Sequence, residues 1–173
     1  VRTDNKSDRI ADGGIAAFKK MLLNRSGTNV NIVADKHDTE VGHAHYIPDE
    51  YDLVSIIIPS KDNPDILKCC LQSIRKFTKY INYEIVVVDN GSNDSNRKEY
   101  EKLVDTFEGQ TSYVYEKADF NFSHMCNTGA SKAKGNLLLF LNDDIEIIGQ
   151  DYEDTDWLSV LAGQAKQEST GAV

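Results

Sequence analysis

The chain has 173 residues, 40% of them hydrophobic, and a formal net charge of -9. That content suits one domain with a real core plus a small extra subdomain. The acidic balance, with no basic cluster interleaved with aromatics, argues against nucleic-acid binding, and no apolar run approaches the ~18 residues of a membrane span.

Residues 1–12 are polar and read as frayed. Ile15, Phe18 and Leu22 then recur at helical spacing before Asn24 to Gly27, predicting a short amphipathic helix. Val30 and Ile32, then Val41, His43, His45 and Ile47, fit two short strands joined across a polar turn at Asp35 to Thr39. His37, His43 and His45, with Asp38 and Glu40, raise the question of a metal, because His-x-His on a strand puts both rings on one face. No fourth ligand is fixed by the pattern, so a solvated face is the reading adopted. Pro48 to Tyr51 reads as a linker, giving a helix-and-hairpin appendage over residues 1–50 and a main domain over 51–173.

From Asp52 the period changes. Leu53 to Pro59 (LVSIIIP) is a buried strand, and Asn63 to Lys76 a helix with Pro64 in its first turn. Glu84 to Val88 (EIVVV) is a second buried strand ending in Asp89. Asp94 or Ser95 caps a helix running to Phe107, Ser112 to Tyr115 is a third strand, and Ser123 to Lys134 a third helix. Leu137 to Leu141 is a fourth strand, whose continuous apolar character predicts burial on both faces. Strands alternating with helices, most of them continuous apolar runs, indicate an α/β fold with an open, mostly parallel sheet.

In such sheets ligands bind outside the carboxyl ends of the strands. Here those ends carry Pro59 to Asn63, Asp89 to Ser92, and Asn142 to Asp144, three polar tips facing one crevice. Two adjacent carboxylates repel each other, so Asp143 and Asp144 at a strand's end call for a cation or hydrogen-bond donors. Their hard oxygens suit Mg2+ or Mn2+ held together with phosphate oxygens. Asp89, followed by Asn90, Gly91 and Ser92, has the chemistry to accept from a ring N–H while Gly91 turns the chain tightly against a ligand. Lys61, Asp62 and Asn121 are within plausible reach of the crevice, each equally readable as an ordinary loop residue. Phe120 and Phe122 read as packing residues, His124 as a partly buried structural histidine, and Trp157 with Leu158 as anchors of a last helix. Cys69, Cys70 and Cys126 form no CxxC pair and read as reduced thiols of a cytoplasmic protein.

Three blocks in unbroken order, VSIIIPSKDNPDILKCCLQSI, EIVVVDNGSND and FNFSHMCNTGASKAKGNLLLFLNDDIEI, followed by DWL and GAV, resemble family 2 glycosyltransferases over roughly residues 53–173. The N-terminal helix and hairpin also resemble the segment preceding this domain in some large bacterial polysaccharide-assembly transferases. The resemblance implies a GT-A fold whose Rossmann-like half binds a nucleotide-diphosphate sugar, with a UDP-sugar favoured, for transfer to a glycan acceptor. It implies a divalent cation, Mg2+ or Mn2+, ligated directly by Asp144, with Asp143 touching the ribose or the metal. Asp89 should bind the base, Pro59 and Ser60 should line its pocket, and Asp62 and Asn121 should add contacts to the nucleotide sugar. Asn142 departs from the strict Asp-x-Asp form of the motif, so its first position carries no charge.

The mechanism so implied is an inverting displacement at the anomeric carbon, in the cytoplasm or at the inner face of the membrane. Its general base belongs to an acceptor-binding half expected beyond Val173. The sequence reads as an excised piece, predicted to bind donor weakly without transferring sugar. The competing reading is a non-catalytic nucleotide-binding or scaffold module of a larger transferase. A signalling receiver domain wants its acidic pair after the first strand, whereas this pair follows the fourth. A sugar nucleotidyltransferase wants a Gly-rich loop that SKDNP lacks, and a nicotinamide dehydrogenase fails for want of G-x-G-x-x-G.

Overall fold

The computed structural model describes residues 6–26, 30–34, 42–48, 52–107, 109–148, 156–168 and 170–173. His37, Asp38, Glu40, Val41, the Asp35–Thr39 turn, most of the Pro48–Tyr51 linker and residues 1–5 lie outside them. The chain divides into two compact units, one of residues 1–50 with 159–173 and the other of residues 51–158.

In the first unit, helix α1 covers Lys6–Ser26, and β1 (Val30–Ala34) pairs antiparallel with β2 (Gly42–Tyr46) in the register Val30 to Tyr46. The helix begins well before Ile15. Residues 6–12, expected to fray, join it: no proline interrupts them and Ala11, Ala16 and Ala17 favour helix, although Gly13 and Gly14 each cost ~1 kcal/mol relative to alanine. On β2, His45 is half-buried with its Nδ1 unpartnered, and burial followed by the neighbouring His43 lowers its pKa. Among the described residues no group of three or more His, Cys, Asp or Glu side chains is placed to hold a metal.

The second unit is built on a four-stranded parallel sheet in the order β5-β4-β3-β6. These strands are β3 (Val54–Ser60), β4 (Tyr83–Asp89), β5 (Thr111–Tyr115) and β6 (Leu137–Phe140). Helices α2 (Pro64–Phe77), α3 (Asp94–Thr106) and α4 (Phe122–Lys132) connect them. Helix α5 (Trp157–Ala165) follows β6; its first two residues belong to this unit, where Trp157 Nε1 donates to Thr78 Oγ1 and Leu158 is buried.

Continuous apolar runs make β3 and β4 the centre of the sheet, with every residue of β3 buried. Ile57, Val86 and Val88 form a core with Met125 of α4 on one face. Ile56 and Ile58 project to the opposite face and are equally buried, so both faces of the central strands are covered. Gly129 lets α4 come this close, since a Cβ there would overlap Ile57 Cγ2.

Burial of the fourth strand on both faces is not what the structure has. Among the described residues β6 pairs only with β3 and is an edge of the sheet, and Leu138 and Phe140 are 45% and 47% exposed. The reason is lateral: among the described elements α4 packs chiefly on β3 and β4, away from β6. Phe120 and Phe122, read as packing residues, are also exposed. The cap of α3 is Asn93 rather than Asp94 or Ser95, its side chain accepting from the backbone N–H of Ser95 and Asn96.

Candidate functional site

The parallel register places Ser60 opposite Asp89, so the tips of β3 and β4 end side by side. The ladder between β3 and β6 continues with Leu141 N–H donating to Ile57 O at 3.0 Å. Asn142 to Ile145 then turn, closed by a bond from Ile145 N–H to Asn142 O at 3.4 Å. The adjacent carboxylates occupy the two central positions of this turn. Asp143 is half-buried and Asp144 exposed.

Hydrogen bonds join the tips. Ser60 Oγ donates to Asp143 Oδ2 at 2.5 Å and lies 2.6 Å from the hydroxyl of Tyr100 on α3. Asp89 is fully buried, with Oδ1 accepting from the backbone N–H and the hydroxyl of Ser92 at 2.8 and 2.7 Å. Tyr113 of β5 donates to Asp89 Oδ2 at 2.5 Å. Pro59, in register with Val88, is buried beside them.

Asp62 stands at positive φ (55°), a conformation that a short polar side chain tolerates better than most. Its Oδ1 accepts from Asn93 N–H, Asn93 Nδ2 and Asn96 Nδ2 at 2.8–2.9 Å, and its own N–H donates to Ser92 Oγ. The loops after β3 and β4 are thereby clamped together. Those bonds, the backbone one first, hold the Asp62 carboxyl below the usual carboxylate range. Gly91 sits at φ 79° with Lys117 against it, where a side chain would be strained as well as crowded.

Asn121 caps α4, its Oδ1 accepting from His124 N–H at 3.0 Å. Its bond thus serves its own helix rather than the Ser60–Asp143 cluster. His124 is exposed rather than partly buried, and its Nε2 pairs with Glu116 Oε1 at 2.8 Å while Thr128 donates to Oε2. The bonds from His124 and then Thr128 lower the Glu116 pKa.

The donor set at the turn fits a hard divalent cation. Asp143 Oδ1 accepts no hydrogen bond among the described residues while Oδ2 is fixed by Ser60, and the exposed Asp144 lines a cleft of about 240 Å3. Asp65, Ile66, Cys69, Cys70, Ile145 and Glu146 line the rest of that cleft. Cys70 approaches Asn142 O through its thiol, and burial, then Asp143 and Asp144, push its pKa up to about 12. It is therefore a protonated, inert neighbour at neutral pH.

Of the residues singled out from sequence, Ser60, Asp89 and Asp143 come together, Pro59 lines the same tips, Asp62 braces them, and Asp144 sits beside Asp143. Sequence reasoning missed Tyr100 and Tyr113. The available signal was a single tyrosine inside DSNRKEYEKLVDT, an otherwise strongly polar helix.

Residues 55–173 match the model of glycosyl transferase family 2. The O-antigen biosynthesis protein RfbC of Myxococcus xanthus is 36% identical over 121 residues, covering 69% of this chain and 9% of that protein. Glycosyltransferase GlyA of Streptococcus pneumoniae serotype 4 is 33% identical over 117 residues, covering 66% of this chain and 16% of that one. The chain thus spans less than a fifth of the length of these curated relatives. Among solved structures, the mannosyltransferase PcManGT from Pyrobaculum calidifontis, in complex with GDP-Man and Mn2+, superposes with a TM-score of 0.58 at 17% identity. That match covers 92% of this chain and 42% of PcManGT, and it is a likeness of fold.

Proposed function

The chain belongs to glycosyl transferase family 2, and from that premise we propose that its strand tips bind the nucleotide-diphosphate sugar of a transferase building a surface polysaccharide or related glycan. The observation that carries this is the convergence of three strand ends: Ser60 in register with Asp89, and Ser60 bonded to Asp143. Asp144 and Asp143 take the divalent cation, Mg2+ or Mn2+, which when bound neutralises charge on the departing nucleoside diphosphate. Pro59, Ser60 and Asp89 form the base end, with a UDP-sugar favoured. Direct contact of Asp89 with the base requires a local opening at the strand tip, because its carboxylate, already accepting from Ser92 and Tyr113, is closed to solvent. Asp62 holds the loops that line the pocket, and Asn121 contributes from the head of α4.

Transfer proceeds with inversion at the anomeric carbon, and the base that deprotonates the glycan acceptor lies outside this strand-tip site. The O-antigen role in the name of the Myxococcus relative and the GDP-Man and Mn2+ held by the Pyrobaculum protein support the reading. No described helix is long and apolar enough to cross a membrane. Calorimetry of the chain with uridine, guanosine and deoxythymidine diphosphates, with and without Mn2+, tests it. At least one nucleotide should bind in a Mn2+-dependent manner that Asp144→Asn removes. A scaffold module would bind none of them.

A further inference from the structure

Tyr100 is buried on α3, forty residues from Ser60 in sequence, and no step of the proposed reaction employs it. Its hydroxyl nevertheless sits one hydrogen bond from the residue that holds Asp143. The direction of this chain of bonds follows from counting hydrogens. A serine hydroxyl has one, and an ionised carboxylate only accepts. The Ser60 hydrogen therefore goes to Asp143 Oδ2, and Tyr100 must donate its own to Ser60 Oγ. Tyr100 Oη in turn accepts the backbone N–H of Asn63 at 3.0 Å. The relay runs from Asn63 N–H to Tyr100, to Ser60, to Asp143, with every donor committed.

Little in this relay is free to rearrange. Ser60 is 4% exposed and Tyr100 is closed to solvent, so water does not compete for their hydroxyls. The Tyr100 ring stacks on Tyr113 with centroids 6.2 Å apart and planes 22° from parallel. Asn63 is the N-cap position immediately before α2, so its N–H is set by the fold. Three segments, the tip of β3, the head of α2 and the middle of α3, thus act on one carboxylate oxygen of the turn after β6.

We propose that Tyr100, acting through Ser60, is a positioning residue that fixes the Asp143 carboxylate for a divalent cation. This rests on the reading of Asp143 and Asp144 as cation ligands. With Oδ2 anchored, rotation about the side-chain torsions of Asp143 is suppressed and Oδ1 stays presented at the turn. Hydroxyls that orient a ligating carboxylate in this way change metal affinity by about 10–100-fold when removed.

The test is a Mn2+ titration of the whole chain, with free Mn2+ read by electron paramagnetic resonance. Tyr100→Phe keeps the ring and its stacking and should weaken Mn2+ binding about 10-fold, as should Ser60→Ala, which removes only an oxygen. The two changes together should cost no more than Ser60→Ala alone. In an Asp143→Asn background, with residual binding carried by Asp144, Tyr100→Phe should cost nothing further. Should Tyr100→Phe and Ser60→Ala both bind Mn2+ like the unaltered chain while Asp143→Asn loses it, the positioning role is wrong and the cation site stands. An equal loss from Tyr100→Phe in both backgrounds reveals general loosening and also overturns the proposal. Undiminished Mn2+ binding by Asp143→Asn and Asp144→Asn removes the cation reading, and this inference with it.

Discussion

Tyr113 and Asp89 share a hydrogen bond of 2.5 Å, the phenol donating to Oδ2 of a carboxylate that solvent does not reach. Asp89 has no water to turn to, so this bond and the two from Ser92 are what compensate its burial. Tyr113→Phe leaves the ring in place against Tyr100 and takes away one donor. The expected cost is about 1–3 kcal/mol, the penalty for stranding a buried acceptor, read as a lower urea midpoint at unchanged slope. Burial first, then the bond to Asp89 and that carboxylate's charge, hold the Tyr113 phenol above its ordinary value. A raised folded pKa means that the stabilisation is complete below the unfolded pKa of ~10 and is lost as pH rises beyond it. Tyr113→Phe should therefore lose less stability than the unaltered chain on going above about pH 10.

Cys69 and Cys70 are neighbours in sequence and opposites in reactivity. Cys69 is exposed, while Cys70 is buried and its pKa is pushed up to about 12 by burial and by Asp143 and Asp144. At pH 8 the Cys70 thiolate fraction is on the order of 10⁻⁴, too small for appreciable alkylation. Iodoacetamide at pH 8 followed by peptide mass spectrometry should label Cys69 and leave Cys70 unmodified in the folded chain, with both labelled in denaturant. Labelling of Cys70 at a rate matching Cys69 without denaturant would contradict its placement behind the acidic turn.

The parallel sheet was legible because LVSIIIP and EIVVV are short, continuous apolar runs, and burial on two faces is the physical condition that selects such runs. The same logic misled at LLLFL. An edge strand of similar composition can leave one face exposed, as Leu138 and Phe140 do beside the β3–β4 surface on which α4 packs, and composition does not tell the two cases apart. Asn93 was missed as a cap because Asn, Asp and Ser in succession all have the capping chemistry, whereas in the structure Asp62, from the loop after β3, holds Asn93 in place. The strand-tip polar residues could be listed from sequence, but their partners could not. Tyr100 and Tyr113 lie 40 and 24 residues from the groups that their hydroxyls meet, and local pattern carries no information at that separation.

At the far end of the same strands, Glu84 gathers three elements. Its Oε1 accepts from Ser55 Oγ at 2.7 Å and from Lys134 N–H at 2.6 Å, and Ser55 Oγ in turn accepts from Gly135 N–H at 2.8 Å. Gly135 is required there, since a Cβ would run into the carbonyl of Leu53. The clamp ties the loop entering β6 to the centre of the sheet, and Ser55 within it is wholly buried. Glu84→Ala removes the shared acceptor, leaving the Ser55 hydroxyl and the Lys134 N–H to find other partners. The expected loss is about 1–3 kcal/mol in denaturant unfolding. Five residues of strand, roughly 16 Å, separate Ser55 from Ser60, so the strand tips should be untouched. Mn2+ affinity measured on the folded variant is therefore expected to match the unaltered chain. A parallel fall in stability and in Mn2+ binding would mean instead that the edge strand β6 transmits strain along its length to Asp143, and that the two ends of the sheet are not independent.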